Sequence, residues 1–182
     1  MLLGEPELED IKNRIDFSKV FKEKYNKSIA SKKVVVNMIK ELDTNGIFEN
    51  YDLMIMETGF LFEMLLPLIN MDLNITPINC KGHDYVDVIT AKKSESKFRT
   101  AKTKRTNISA MIPCCTIEGD LRVMVYEGDV TNEHYFFLIP YEEVNPMRYI
   151  EIPFNLKTGE PYRKNRWWGY EVKTLKEAAG VK

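Results

Sequence analysis

An α+β fold, mixed α/β in its strand arrangement, with a central mixed β-sheet flanked by helices, is what this sequence predicts. Three observations carry that expectation. Apolar residues at helical spacing fill the early chain: Val34, Val35, Met38, Ile39 and Leu42 form one stripe, and Tyr51 to Leu66 is apolar with few breaks. β-Branched and polar residues alternate from Asp84 onward. Two more alternating runs, Leu121–Tyr126 and Glu133–Ile139, flank the turn residues Glu127-Gly128-Asp129 and predict a hairpin. Helices followed by hairpins pack as a sheet with helical cover.

A chain of 182 residues can bury one good core, so a single domain with appendages is expected. The hydrophobic fraction of 44% and charged fraction of 29% are those of an ordinary globular protein. Met1-Leu2-Leu3 runs into Gly4-Glu5-Pro6-Glu7 without a basic start or a long apolar core, which argues against a signal peptide. The most apolar run, Leu61–Ile69, holds Glu63 and Pro67 and is too short to span a bilayer. No membrane partner is expected. Cys80, Cys114 and Cys115 suit neither a disulfide framework nor a zinc site, so reduced thiols in a cytoplasmic protein are the expectation.

In chain order, residues 1–46 read as an N-terminal helical segment and 47–182 as the core domain with a loop-rich end. Leu8, Ile11, Ile15 and Val20 are spaced for an amphipathic helix, with a break near Asp16-Phe17-Ser18. Ser18–Tyr25 and Ser31–Leu42 have the size of a helix-turn-helix, and ordinary helical packing explains them as well. Asp43-Thr44-Asn45-Gly46 closes the second helix. Tyr51–Leu66 predicts a buried helix, bent near Gly59 and ending about Pro67. Leu73–Cys80, with its proline, is a loop or short edge strand. Asp84–Thr90 is a strand, Thr90–Lys93 a turn, and Ser94–Thr100 a returning strand. Ile108, Met111 and Ile112 fit a helical turn. Beyond Tyr141 the chain is loop-rich, and Leu175–Ala179 is a last helical turn.

Chemistry concentrates at Asp84 to Arg99. Side chains two apart share a face of a strand, so Glu95, Lys97 and Arg99 point one way. Two carboxylates a few ångströms apart bind Mg²⁺, which prefers oxygen ligands. A lysine beside them can orient a water and stabilise a charged transition state. Asp84 leaves ten residues before Glu95, room for two strands and a turn, whereas Asp87 demands a very tight hairpin. Glu63 stands among apolar residues, and buried glutamates are rare unless paired or metal-bound. Lys92, Lys93, Lys97, Arg99, Lys102, Lys104 and Arg105, against Glu95 alone, form a basic run that could follow a phosphate backbone or be a solvated face. Arg163-Lys164-Asn165-Arg166-Trp167-Trp168 suits nucleic-acid stacking or a Trp pair covering the sheet end. His134, on an aromatic strand, reads as a packed or surface residue.

The order Gly59-Phe60-Leu61-Phe62-Glu63, then Asp84 (or Asp87), then Glu95-Ser96-Lys97 resembles the PD-(D/E)xK nuclease superfamily, over roughly Asp52–Tyr141. His83 stands where that motif has proline, and serines flank Glu95 where apolar residues are commoner. The resemblance implies a restriction-endonuclease-like fold and a Mg²⁺-dependent endonuclease acting on DNA, phage-borne or part of restriction. In it Glu63, Asp84, Glu95 and Lys97 are catalytic and Asp84, Glu95 and Glu63 hold the metal. Lys92, Lys93, Arg99, Lys102, Lys104 and Arg105 bind DNA, and a homodimer is an allowed assembly. The competing expectation is a non-catalytic nucleic-acid-binding or phage interaction protein; a small inhibitor that pairs through its sheet edge is a third. No nucleotide-binding glycine loop, Ser-His-Asp order or zinc spacing supports another enzyme class.

Overall fold

A computed structural model describes residues 29–76 and 82–181. The expected helices before Ile29, and Cys80, lie outside the described residues. Helix α1 (Ile29–Leu42) buries Val35, Val36 and Ile39. It stops at Asp43, whose carboxylate accepts the amides of Ile47 and Phe48, both at 2.8 Å. The helix expected from Tyr51 starts later. Asp52 caps a 3₁₀ turn at Leu53–Ile55, accepting from the Met54 amide at 3.1 Å, and Met56 and Glu57 are extended. Helix α2 then runs Thr58–Ile69, straight through Pro67.

Proline inside a helix leaves the carbonyl four residues back without its partner. Here that carbonyl belongs to Glu63, and the hydroxyl of Tyr85 donates to it at 2.6 Å. A tyrosine from the sheet thus replaces the missing helical hydrogen bond and fixes α2 to the strand below.

The strands follow as β1 (Leu73–Ile75), β2 (Tyr85–Asp87), β3 (Lys93–Thr100), β4 (Lys102–Thr103), β5 (Ile108–Pro113), β6 (Asp120–Glu127), β7 (Glu133–Ile139), β8 (Tyr149–Phe154) and β9 (Glu171–Val172). Helix α3 (Tyr141–Val144) follows β7, and α4 (Leu175–Ala178) follows β9. A mixed six-stranded sheet has the order β1-β2-β3-β6-β7-β9, in which β3 and β6 are parallel and every other pair is antiparallel. A three-stranded sheet, β4-β5-β8, lies in a separate layer. A parallel neighbour needs a crossover connection, and β4 and β5 form it.

Two expectations are corrected here. Residues 108–113 form a strand, not a helical turn: they pair antiparallel with β8 from Ile108↔Phe154 to Pro113↔Tyr149, and Ile108, Ala110 and Ile112 are buried while Met111 is 39% exposed. The loop-rich end also contributes β8, where Ile150, Ile152 and Phe154 are buried and pair with Ile112, Ala110 and Ile108 of β5. The β6–β7 hairpin forms as the sequence predicts.

The six-stranded sheet separates two cores. Tyr85, Phe98, Met124, Tyr126 and Phe136 pack under α1, α2 and α4. Leu121, Val123, Val125, Phe137 and Ile139 pack against β5, β8 and the Trp pair. Val35, Val36 and Ile39 of α1 belong to the first of these cores. Asn165 caps the 3₁₀ turn Arg166–Tyr170, accepting from the Trp167 amide at 3.0 Å. Trp167 and Trp168 are buried, and the Trp168 indole donates to the Pro153 carbonyl at 3.0 Å.

Tyr85→Phe should cost about 1–2 kcal/mol, the penalty for orphaning a buried carbonyl. Pro67→Ala restores an N–H that can reach Glu63 O, so the loss should shrink in the double variant. Urea denaturation of the four proteins measures the coupling; additive losses would contradict this role of Tyr85.

Candidate active site

Asp84 stands where β2 parts from β3. Its amide donates to Ser94 O at 2.9 Å and its carbonyl accepts from the Thr76 amide at 2.8 Å. The preceding Gly82-His83 leans away toward the turn before β6: the Glu118 amide donates to Gly82 O at 2.6 Å. Gly82 is required there, since it has φ +88° and a Cβ would lie 2.7 Å from Thr116 O. Pairing of β2 with β3 runs only through Tyr85↔Ser94 and Val86↔Lys93. Ser96 thus lies beyond the ladder on the β2 side of β3. Asp84 Oδ2 fills that vacancy, accepting from the Ser96 amide at 2.7 Å and from its hydroxyl at 2.8 Å.

Glu95 and Lys97 sit opposite Leu121 and Val123 in the parallel register, so both point into the layer between the sheets. Glu95 is buried at 8% exposure, and its Oε1 accepts from Lys97 Nζ. Burial pushes the nearby Cys114 thiol up, and the Lys97 charge opposes that rise. Asp84 is thus hydrogen-bonded to the residue between Glu95 and Lys97, and those two side chains pair with each other.

Glu63 comes from the opposite side of the sheet to the Glu95–Lys97 pair. Its helix packs on the face that carries Tyr85 and Phe98, whereas Glu95 and Lys97 project from the opposite one. Among the described residues no three His, Cys, Asp or Glu side chains converge as a metal-holding group. The alternation of β3 puts the acid-x-Lys pair on the face away from α2.

Asp87 has another task. Its Oδ1 accepts the amides of Ile89 at 3.0 Å and Thr90 at 2.7 Å, closing the turn in which Ala91 adopts φ +55°. The Thr90 amide holds the Asp87 carboxyl below its usual range, and the Arg122 charge adds a smaller pull. Asp87 shares the Tyr85 face of β2. Of the two aspartates, Asp84 is the one joined to Glu95-Ser96-Lys97.

The basic run is split by the strand it flanks. β3 is eight residues long, about 26 Å of extended chain, so Lys92 and Lys93 lie at one end and Lys102, Lys104 and Arg105 beyond the other. Lys93 pairs with Glu118 at 3.0 Å and Lys104 with Glu151 at 2.7 Å. Arg99 donates to the Phe98 carbonyl at 2.8 Å. Lys92, Lys102 and Arg105 are exposed. In the Arg-Lys-Asn-Arg-Trp-Trp motif, Arg166 lies 4.5 Å over the Trp167 ring and pairs with Glu143, and Arg163 lies 5.5 Å over Trp168 and pairs with Glu171. Both tryptophans serve the core.

The sequence gives no sign of one buried carboxylate. Glu127, 0% exposed, accepts from the amides of Asp129, Val130 and Thr131 and from the Thr131 hydroxyl. It organises the β6–β7 turn. His134 packs edge-on to Phe136, and burial lowers its pKa. No helix among the described residues is long and apolar enough to cross a membrane. No family model, curated protein or solved structure gives a significant match to this chain.

Asp87→Ala should cost about 1 kcal/mol at neutral pH for its lost turn hydrogen bonds. A carboxyl held below its ordinary 3.8 stabilises fully above that value and ceases to do so as pH falls through its folded value. Urea denaturation from pH 7 to pH 2 should show the gap between wild type and variant closing in acid. A gap independent of pH would refute the role.

Proposed function

We propose that this chain is a metal-dependent endonuclease that hydrolyses DNA phosphodiester bonds, on a core of the restriction-endonuclease-like kind. One observation carries the reading: Asp84, at the end of β2, is hydrogen-bonded to the middle residue of Glu95-Ser96-Lys97. An aspartate and an acid-x-Lys pair are thereby neighbours despite ten intervening residues. The antiparallel β1-β2-β3 run, followed by β6 parallel to β3 and with helices on one face, agrees with such a core.

The donor set fits Mg²⁺ in kind, since carboxylate oxygens are its preferred protein ligands. Both hydrogen bonds that Asp84 accepts end on Oδ2, which leaves Oδ1 for a ligand. Asp84 and Glu95 would hold the ion. Bound there, it would neutralise the phosphate and lower the pKa of a water. Lys97, already beside Glu95, would orient the attacking water and stabilise charge growing on the phosphate. Glu63 is given no ligand role. Lys92, Lys102 and Arg105 would meet the DNA backbone. Free, unbridged Cys114 and Cys115 agree with action in the cytoplasm.

A non-catalytic, nucleic-acid-binding reading has its own support. Lys97 already neutralises Glu95, and Asp84 is already engaged by Ser96. Incubating plasmid and single-stranded DNA with the protein in Mg²⁺ and in chelator separates the two. The nuclease should cut only with metal, and Lys97→Ala should lower the rate by about 10²–10³ while DNA is still bound. Lys102→Ala should instead weaken binding and reduce its salt slope by about 1. Uncut DNA in Mg²⁺, retained equally well in chelator, would favour the non-catalytic binder.

A further inference from the structure

We infer that the Ser96 hydroxyl is a positioning group that aims the free oxygen of Asp84 at a divalent cation, an inference that rests on the nuclease reading. Ser96 lies on the helix-side face of β3, two residues before Phe98 in the apolar core, and is itself only 6% exposed. A buried hydroxyl costs stability unless it is hydrogen-bonded. Its partner is not the nearby backbone but the Asp84 carboxylate, at 2.8 Å.

The geometry gives that bond a purpose. The Ser96 amide, at 2.7 Å, would hold Asp84 Oδ2 whatever side chain stood at position 96. One donor still lets the carboxylate rotate about its terminal torsion, which is broad and weakly preferred. A second donor on the same oxygen, arriving from the helix-side face, fixes the plane of the group. Oδ1 is then held in one direction rather than sweeping the fork. Ser94, the other serine flanking Glu95, accepts from Arg122 Nε at 3.1 Å, and Arg122 also donates to Ala178 O at 2.6 Å. Ser94 is therefore tied to the helix side, and only Ser96 reaches the site. Partners that orient a metal ligand typically contribute 10–100-fold to affinity when removed.

Calorimetric titration of the full chain with Mg²⁺, without DNA, tests this apart from activity. Wild type should bind; Asp84→Asn should not. Ser96→Ala should bind about 10-fold more weakly with an unchanged circular dichroism spectrum, and Ser96→Thr, which keeps the hydroxyl, should recover the affinity. Equal affinity in Ser96→Ala and wild type would overturn the inference while leaving the metal site intact. Weak binding in both Ser96 variants would also overturn it, by showing that the hydroxyl is not what matters. Absence of Mg²⁺ binding by wild type would overturn the inference and the nuclease reading together.

Discussion

The parallel pairing of β3 with β6 is the constraint on which the rest of the molecule depends. It extends from Ser94↔Asp120 to Thr100↔Tyr126, while β3 meets β2 only at its start. One edge of β3 is therefore sealed along its length and the other is open after Ser94. The open edge needs a polar partner, because a buried amide without one is costly. Asp84 supplies it. Gly119 protects the sealed edge at its beginning, where a Cβ would lie 2.1 Å from the Lys93 carbonyl, so any larger residue would force β6 away from β3.

The same pairing fixes which side chains can cooperate. With helices on one face and a second sheet on the other, the middle of β3 from Ser94 to Phe98 is buried or half-buried on both faces. Ser94, Ser96 and Phe98 go to the helices; Glu95 and Lys97 go between the sheets. Placing a glutamate in that layer requires a counter-charge, and Lys97 two residues on is the nearest that strand geometry offers. The ion pair is thus a condition of the fold as well as the centre of the proposed chemistry. Asp84 meets the same stretch of β3 from the side, through the amide and hydroxyl of Ser96.

Much of this was legible in residues alone, and the failures have physical causes. The β6–β7 hairpin announced itself by alternation and a Gly-containing turn, and the Glu95–Lys97 pair by spacing. Strand β5 is ambiguous in sequence because Ile108, Met111 and Ile112 mimic a helical stripe, whereas in the fold Ala110 is buried and Met111 exposed. Pro67 suggested a helix end because Tyr85, eighteen residues later, could not be foreseen as the substitute donor. Glu63 stands among apolar residues in the chain, and which side of the sheet its helix covers is a tertiary fact with no local signature. The basic run looked continuous for a similar reason, since an extended strand carries neighbours in sequence to opposite ends of the domain.

The central claim is that a cation binds between Asp84 and Glu95. Iron(II) can replace magnesium at oxygen-rich sites, and with peroxide and ascorbate it cuts or oxidises the chain close to where it sits. Mass spectrometry of the intact protein after this treatment should place damage at residues 82–85 and 94–98, and excess Mg²⁺ should suppress it. Damage spread along the chain, or concentrated elsewhere and indifferent to Mg²⁺, would contradict the account.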